Sequence, residues 1–170
     1  MGLQSNDDEE TLRNLTIQSF IGSPLFDHTF TEGMSLVEET ARYLDGRGRQ
    51  ESRELPRKAA MLYASESMRV TTRLMQAASW LLVQRAVREG DMRAEDAAGD
   101  RYRIGSKEVC LGAASEGVET LPVNLQDLLV RSDTLYRRIA RLDDIFFGAG
   151  EKRQAGARAH LNRLEEAFGA

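Results

Sequence analysis

The chain has 170 residues, which is room for one domain. Hydrophobic residues make up 41% and charged residues 29%, so a core can be buried and global disorder is excluded. The net charge of -4 argues against attraction of the whole chain to nucleic acid or to an anionic membrane, and the single cysteine, Cys110, excludes an internal disulfide.

No run of residues reaches the roughly 18 apolar positions of a membrane span. The opening MGLQSNDDEE is acidic where a secretory signal is basic and then apolar, and a cytoplasmic location is expected. Residues 1–19 read as a flexible acidic arm. Phe20, Ile21, Leu25 and Phe26 follow closely and are expected to dock on the domain.

Thr29 stands three residues before Glu32, a capping-box spacing that predicts the start of a first helix. Phe30, Met34, Val37, Ala41 and Leu44 then repeat at steps of four and three. Gly46 fits a left-handed cap, and the polar stretch 46–55 reads as a loop.

Pro56 and Gly90 bracket a second helix with no Pro or Gly inside it, a rod of about 50 Å at 1.5 Å per residue. Steps of 100° put Tyr63, Ser67, Met68, Leu74, Met75 and Leu81 on one stripe, expected to be buried. The opposite face carries Glu66, Arg69, Arg73 and Gln76 and is expected to be wet. Beyond Gln76, Trp80, Val83 and Val87 fall on that same polar face, so this end of the helix needs a second cover. Either residues 91–121 or a second subunit would supply it.

Residues 91–121 hold Gly99, Gly105, Gly112 and Gly117, too closely spaced for a long helix. Tyr102, Ile104, Leu111 and Val118 give the stretch enough apolar surface to lie over Trp80. Pro122 opens a third helix reaching about Phe147 and capped by Gly148. Leu125, Leu128, Ser132, Leu135, Ile139, Leu142 and Phe146 alternate there by three and four. Residues 149–170 read as a variable, disordered tail. Three matched stripes predict an all-α domain over 20–148, an antiparallel three-helix bundle with one long central helix.

Catalytic, cofactor and metal signatures are missing from this text. His28 and His160 have no partner at ligand spacing, and no GxGxxG, GxSxG or HExxH occurs. Basic residues are nearly all arginine, the cation favoured at interfaces. Glu66, Arg69, Arg73 and Gln76 therefore form the candidate partner surface, weighed against an ordinary solvated face. Trp80, Val83 and Val87 form a candidate dimer patch or a patch covered by the chain itself. Arg137, Arg138 and Arg141 would suit a DNA-associated regulator, but Asp127, Asp133, Asp143 and Asp144 share their helix and offset the charge.

The block YASESMRVTTRLMQAASWLLVQRAVREG over 63–90 closely resembles the alphaproteobacterial regulator-of-CtrA-degradation family. EGMSLVEETARYLDG over 32–46 and LYRRIARLDDIFFG over 135–148 resemble the first and last helices of the same family. The resemblance implies a dimerising helical protein that is not an enzyme. It implies an adaptor that brings cargo such as the transcription regulator CtrA to the protease ClpXP. A CpdR-like priming adaptor and a cyclic-di-GMP-binding adaptor are the further partners it implies. A plain structural dimerisation module is the remaining alternative.

Overall fold

The structure, a computed structural model, describes the backbone of residues 4–168 and the side chains of Asp8 and residues 11–148. The described residues form seven α-helices, two short 3-10 turns and no strand. The helices are α1 (Gln4–Ile21), α2 (Pro24–Asp45), α3 (Arg47–Glu54), α4 (Arg57–Glu89), α5 (Ala94–Ala97), α6 (Lys107–Cys110) and α7 (Val123–Phe168). The all-α expectation holds. The long helices α2, α4 and α7 pack on one another, and α1 packs on all three.

Several boundaries differ from the sequence reading, each for a local reason. Ser23, not Thr29, caps α2: its Oγ accepts the Phe26 N–H at 3.3 Å, and Pro24 occupies the first turn. Thr29 lies inside the helix, buried, and its hydroxyl donates back to the Leu25 carbonyl at 2.9 Å. Starting early lets α2 bury Phe26 against Phe20, whose ring also meets Phe146 at 5.4 Å between centroids. Phe20, Ile21 and Phe26 thus dock as expected, whereas Leu25 faces solvent.

Where the sequence reads an arm over 1–19, the structure has α1, with Ile17 and Ile21 in the core. Where it reads a loop over 46–55, α3 follows α2 directly. Gly46 has φ -109° and is not left-handed. Gly48 explains that corner. A Cβ there would stand 2.5 Å from the Tyr63 hydroxyl and 2.8 Å from the Tyr43 ring, so only glycine admits this approach. Gly148 does not end α7, which continues to Phe168, and the side chains of the expected tail 149–170 lie outside the described residues.

The helix directions differ from an up-down-up bundle, in which α2 and α7 would run parallel and α4 and α7 would oppose. Arg138 meets Glu32 and Arg131 meets Glu39, so α2 and α7 run in opposite directions. Arg88 pairs with Asp27 near one end of α4, while Tyr43 and Tyr63 meet near the other, so α2 and α4 also oppose. Yet Arg73 bonds Asp133 and Trp80 bonds Asp143, a rising register that makes α4 and α7 parallel. A parallel pair needs a connection that returns the full length of the first helix. Residues 90–122 make that return journey, and this is why they are long.

The buried face of α4 also differs from the expectation, turned by about one residue position, or 100°. Met68 is 72% and Met75 is 64% exposed, while Glu66, Val70, Arg73, Ala77 and Gln84 are buried. The returning connection covers the side of α4 that the sequence reading left wet.

Candidate functional site

The returning connection has little regular structure, so its backbone groups must find partners elsewhere. Side chains of α4 provide them in descending order. Gln76 Oε1 accepts the Gly105 N–H at 2.9 Å. Arg73 donates from Nε to the Cys110 carbonyl at 2.9 Å, from Nη1 to the Leu129 carbonyl at 3.2 Å, and from Nη2 to Asp133 at 2.9 Å. Arg69 donates from Nη1 to the Ala113 carbonyl at 2.9 Å. Glu66 accepts from the Ser115 hydroxyl and lies 3.6 Å from Arg69.

These are the four residues singled out as a partner row. The structure does bring them together, but not as a wet face: Glu66 is 1% and Arg73 is 4% exposed. Rigid helical spacing at i, i+3, i+7 and i+10 makes them a clasp for the connection. Burial pulls the Arg73 guanidinium below its ordinary pKa, and Asp133 pulls it back up. A planar fork with five donors suits this site because it satisfies two carbonyls and a carboxylate at once.

In the second patch, Trp80 is 1% exposed within the chain itself. Its Nε1 donates to Asp143 at 2.9 Å, and Asp143 also accepts from Arg103 Nε at 2.9 Å. Arg103 in turn lies over the Phe147 ring, 5.4 Å from its centroid. Burial pushes the Asp143 carboxyl above its ordinary range, against the opposing pull of Arg103 and the Trp80 hydrogen bond. Val87 is buried and Val83 packs partly buried on the same core.

Two exposed features went unrecognised in the sequence. One is the stripe Met61, Met68, Met75 and Leu82, each one heptad apart and more than half exposed. Its strict seven-residue spacing was the available signal. The other is a cleft of about 380 Å³ between α4, the stretch 112–118 and α7, lined among others by Arg69, Val118, Leu129, Asp133 and Arg137. Asp133 bridges its two walls, pairing with Arg73 and, at 2.7 Å, with Arg137.

Among the described residues no cluster of His, Cys, Asp or Glu could hold a metal ion, and no helix is long and apolar enough to cross a membrane. Burial raises the Cys110 thiol pKa and the side chain is fully enclosed, so it offers no accessible thiolate. The arrangement holds peptide backbone and pairs carboxylates with guanidinium groups.

Comparison with known proteins agrees with this all-helical architecture. A family model described as "Protein of unknown function (DUF1465)" matches residues 17–168. The crystal structure of RcdA from Caulobacter crescentus CB15 is similar at 55% sequence identity and a TM-score of 0.63. The match covers 76% of this chain and 97% of that one. No curated protein matches.

Proposed function

The chain belongs to the family of proteins of unknown function DUF1465, and from its similarity to RcdA we propose that it is a non-enzymatic, cytoplasmic adaptor that helps deliver CtrA-like cell-cycle regulators to ClpXP. The observation that supports this reading is the 55% identity extending over 97% of the RcdA chain. ClpX, a CpdR-like priming adaptor, cargo transcription regulators and a cyclic-di-GMP-binding adaptor are the partners it brings with it. A reconstituted ClpXP reaction with a CtrA-like substrate and a CpdR-like protein tests it. Omitting this chain is expected to slow substrate loss several-fold, and an unchanged rate counts against the reading.

The adaptor is further proposed to act as a homodimer. The stripe Met61, Met68, Met75 and Leu82 is the surface that suits a second copy, because it is apolar, straight and spaced like a coiled-coil seam. The DNA-associated alternative gains no support from α7. Arg131 is held by Glu39 and Asp127 and Arg138 by Glu32, while Asp127, Asp133 and Asp144 lie beside Arg137 and Arg141 on the same helix and offset their charge.

A further inference from the structure

We propose that the groove along α7 beside the stretch 112–118 is the docking site for a protein segment that sets an acidic side chain next to a large apolar one. This inference rests on the adaptor reading and adds the chemistry of the partner.

The groove is built from two adjoining depressions of about 380 and 370 Å³ that share Asp133, Thr134 and Arg137 as a common wall. The first takes apolar lining from Val118, Leu129 and Val130. The second runs on past Arg141 to Ile145. Apolar contact and cationic rim therefore lie along one continuous path.

The capacity for a new carboxylate is concentrated at two positions. Arg131 and Arg138 are already paired across to α2, with nitrogen–oxygen distances of 2.7 and 2.6 Å. Arg137 gives only its Nε to Asp133, and both of its terminal nitrogens have no hydrogen-bond partner among the described residues. Arg141 pairs with no carboxylate among the described residues. These two arginines stand four residues apart on α7, hence on one side and one turn from each other. A guanidinium with a free edge takes a carboxylate through two parallel hydrogen bonds.

Val130 and Ile145 flank the pair and are 66% and 62% exposed. Arginine beside exposed large aliphatic side chains is the composition of an interface core rather than of a purely solvated face. A duplex fits less well. Its unbroken row of phosphates would run onto Asp127 and Asp144, whereas a short acidic–apolar segment meets the two free arginines and leaves those carboxylates at the rim, with Asp133 in the wall already paired to Arg73. The apolar side chain would enter the cleft over Leu129, and the acid would meet Arg137 and Arg141.

The test is selection of random dodecapeptides displayed on phage against the immobilised full chain and against Arg137→Glu/Arg141→Glu. The wild type is expected to enrich peptides with Asp or Glu adjacent to Leu, Ile or Phe, and the variant is expected to lose them. The best selected peptide, labelled with fluorescein, should bind the variant at least about tenfold more weakly. Arg137→Ala/Arg141→Ala should weaken it as well, with thermal melting showing each variant folded. Selection without acidic enrichment, or equal binding to wild type and to both folded variants, overturns the proposal. So does displacement of the peptide by a 20-base-pair duplex at 0.15 M salt. The degradation reaction keeps the two readings apart. If the wild-type chain accelerates substrate loss but selects no acidic peptides, the groove proposal alone falls. If it selects them but does not accelerate loss, the adaptor reading alone falls.

Discussion

Three segments of the chain converge on the Asp143 carboxylate: Trp80 from α4, Arg103 from the returning connection, and α7 itself. Arg103 and Asp143 are both almost fully buried, so removing the carboxylate takes away the 2.9 Å partner of Arg103 Nε and the acceptor of Trp80 Nε1 together. Asp143→Ala is expected to cost about 3–5 kcal/mol in urea denaturation. The pH response has a definite sign. Burial raises the folded pKa of Asp143 above its ordinary 3.8, so the folded state holds a proton that the unfolded state has released. Its share of stability therefore falls as pH rises from about 4 through the folded value. The stability of wild type relative to Asp143→Asn should decline across that window, and a difference that grows with pH contradicts the assignment. Arg73 makes a second residue-scale case. Arg73→Ala strips the Cys110 carbonyl of its side-chain donor, at about 1–3 kcal/mol for that group, while the Leu129 carbonyl still accepts from Ser132 Oγ at 3.1 Å. An exposed change such as Thr71→Ala should stay within about 0.5 kcal/mol in the same assay.

At the scale of elements, the corner between α2 and α3 and the connection after α4 show two ways of closing a helix pair. The corner is closed by steric fit. Gly48 sits against Tyr43 and Tyr63, and Tyr43 donates to Glu51 at 2.8 Å. In Gly48→Ala two effects compete. Alanine favours the helix by about 1 kcal/mol. Its methyl group, however, would press on two rings held in a packed core, where overfilling costs about 1–3 kcal/mol. The clash is expected to win, lowering the melting temperature by a few degrees, and a raised melting temperature would show that the tyrosines move aside cheaply. The connection is closed instead by polar contacts. Gln76, Arg73, Arg69 and Glu66 hold it in sequence, while Tyr136 donates to the Gly105 carbonyl at 2.6 Å from the other side. A loop fastened by polar groups is expected to open locally at lower free energy than the α4–α7 core.

For the whole molecule, the parallel course of α4 and α7 decides which surfaces remain. The connection occupies one side of α4, and α2 and α7 occupy another. The methionine stripe is what is left over. A homodimer formed through it should dissociate in Met68→Glu/Met75→Glu at micromolar concentration, read by sedimentation, with helicity unchanged. A variant that remains dimeric places the interface elsewhere.

Much of this was legible in the sequence. The helical class, the bounds of α4, the core stripe of α7 and the need to cover Trp80 all follow from local periodicity and from Pro and Gly placement. Those signals act within a few turns of chain, and packing did not overturn them. The cap at Ser23, the conformation of the Gly46 cap, the helix over 47–54 and the continuation of α7 beyond Gly148 were not legible, because burial of Phe26 and the fit of Gly48 against two tyrosines are contacts between elements. The rotation of α4 has the same cause. Apolar residues lie on more than one side of this helix, so the stripe chosen by periodicity was not the one that packing buried. Only the return of the connection, with its unpaired carbonyls, decided that Glu66 and Arg73 would be buried while Met68 and Met75 stayed in water.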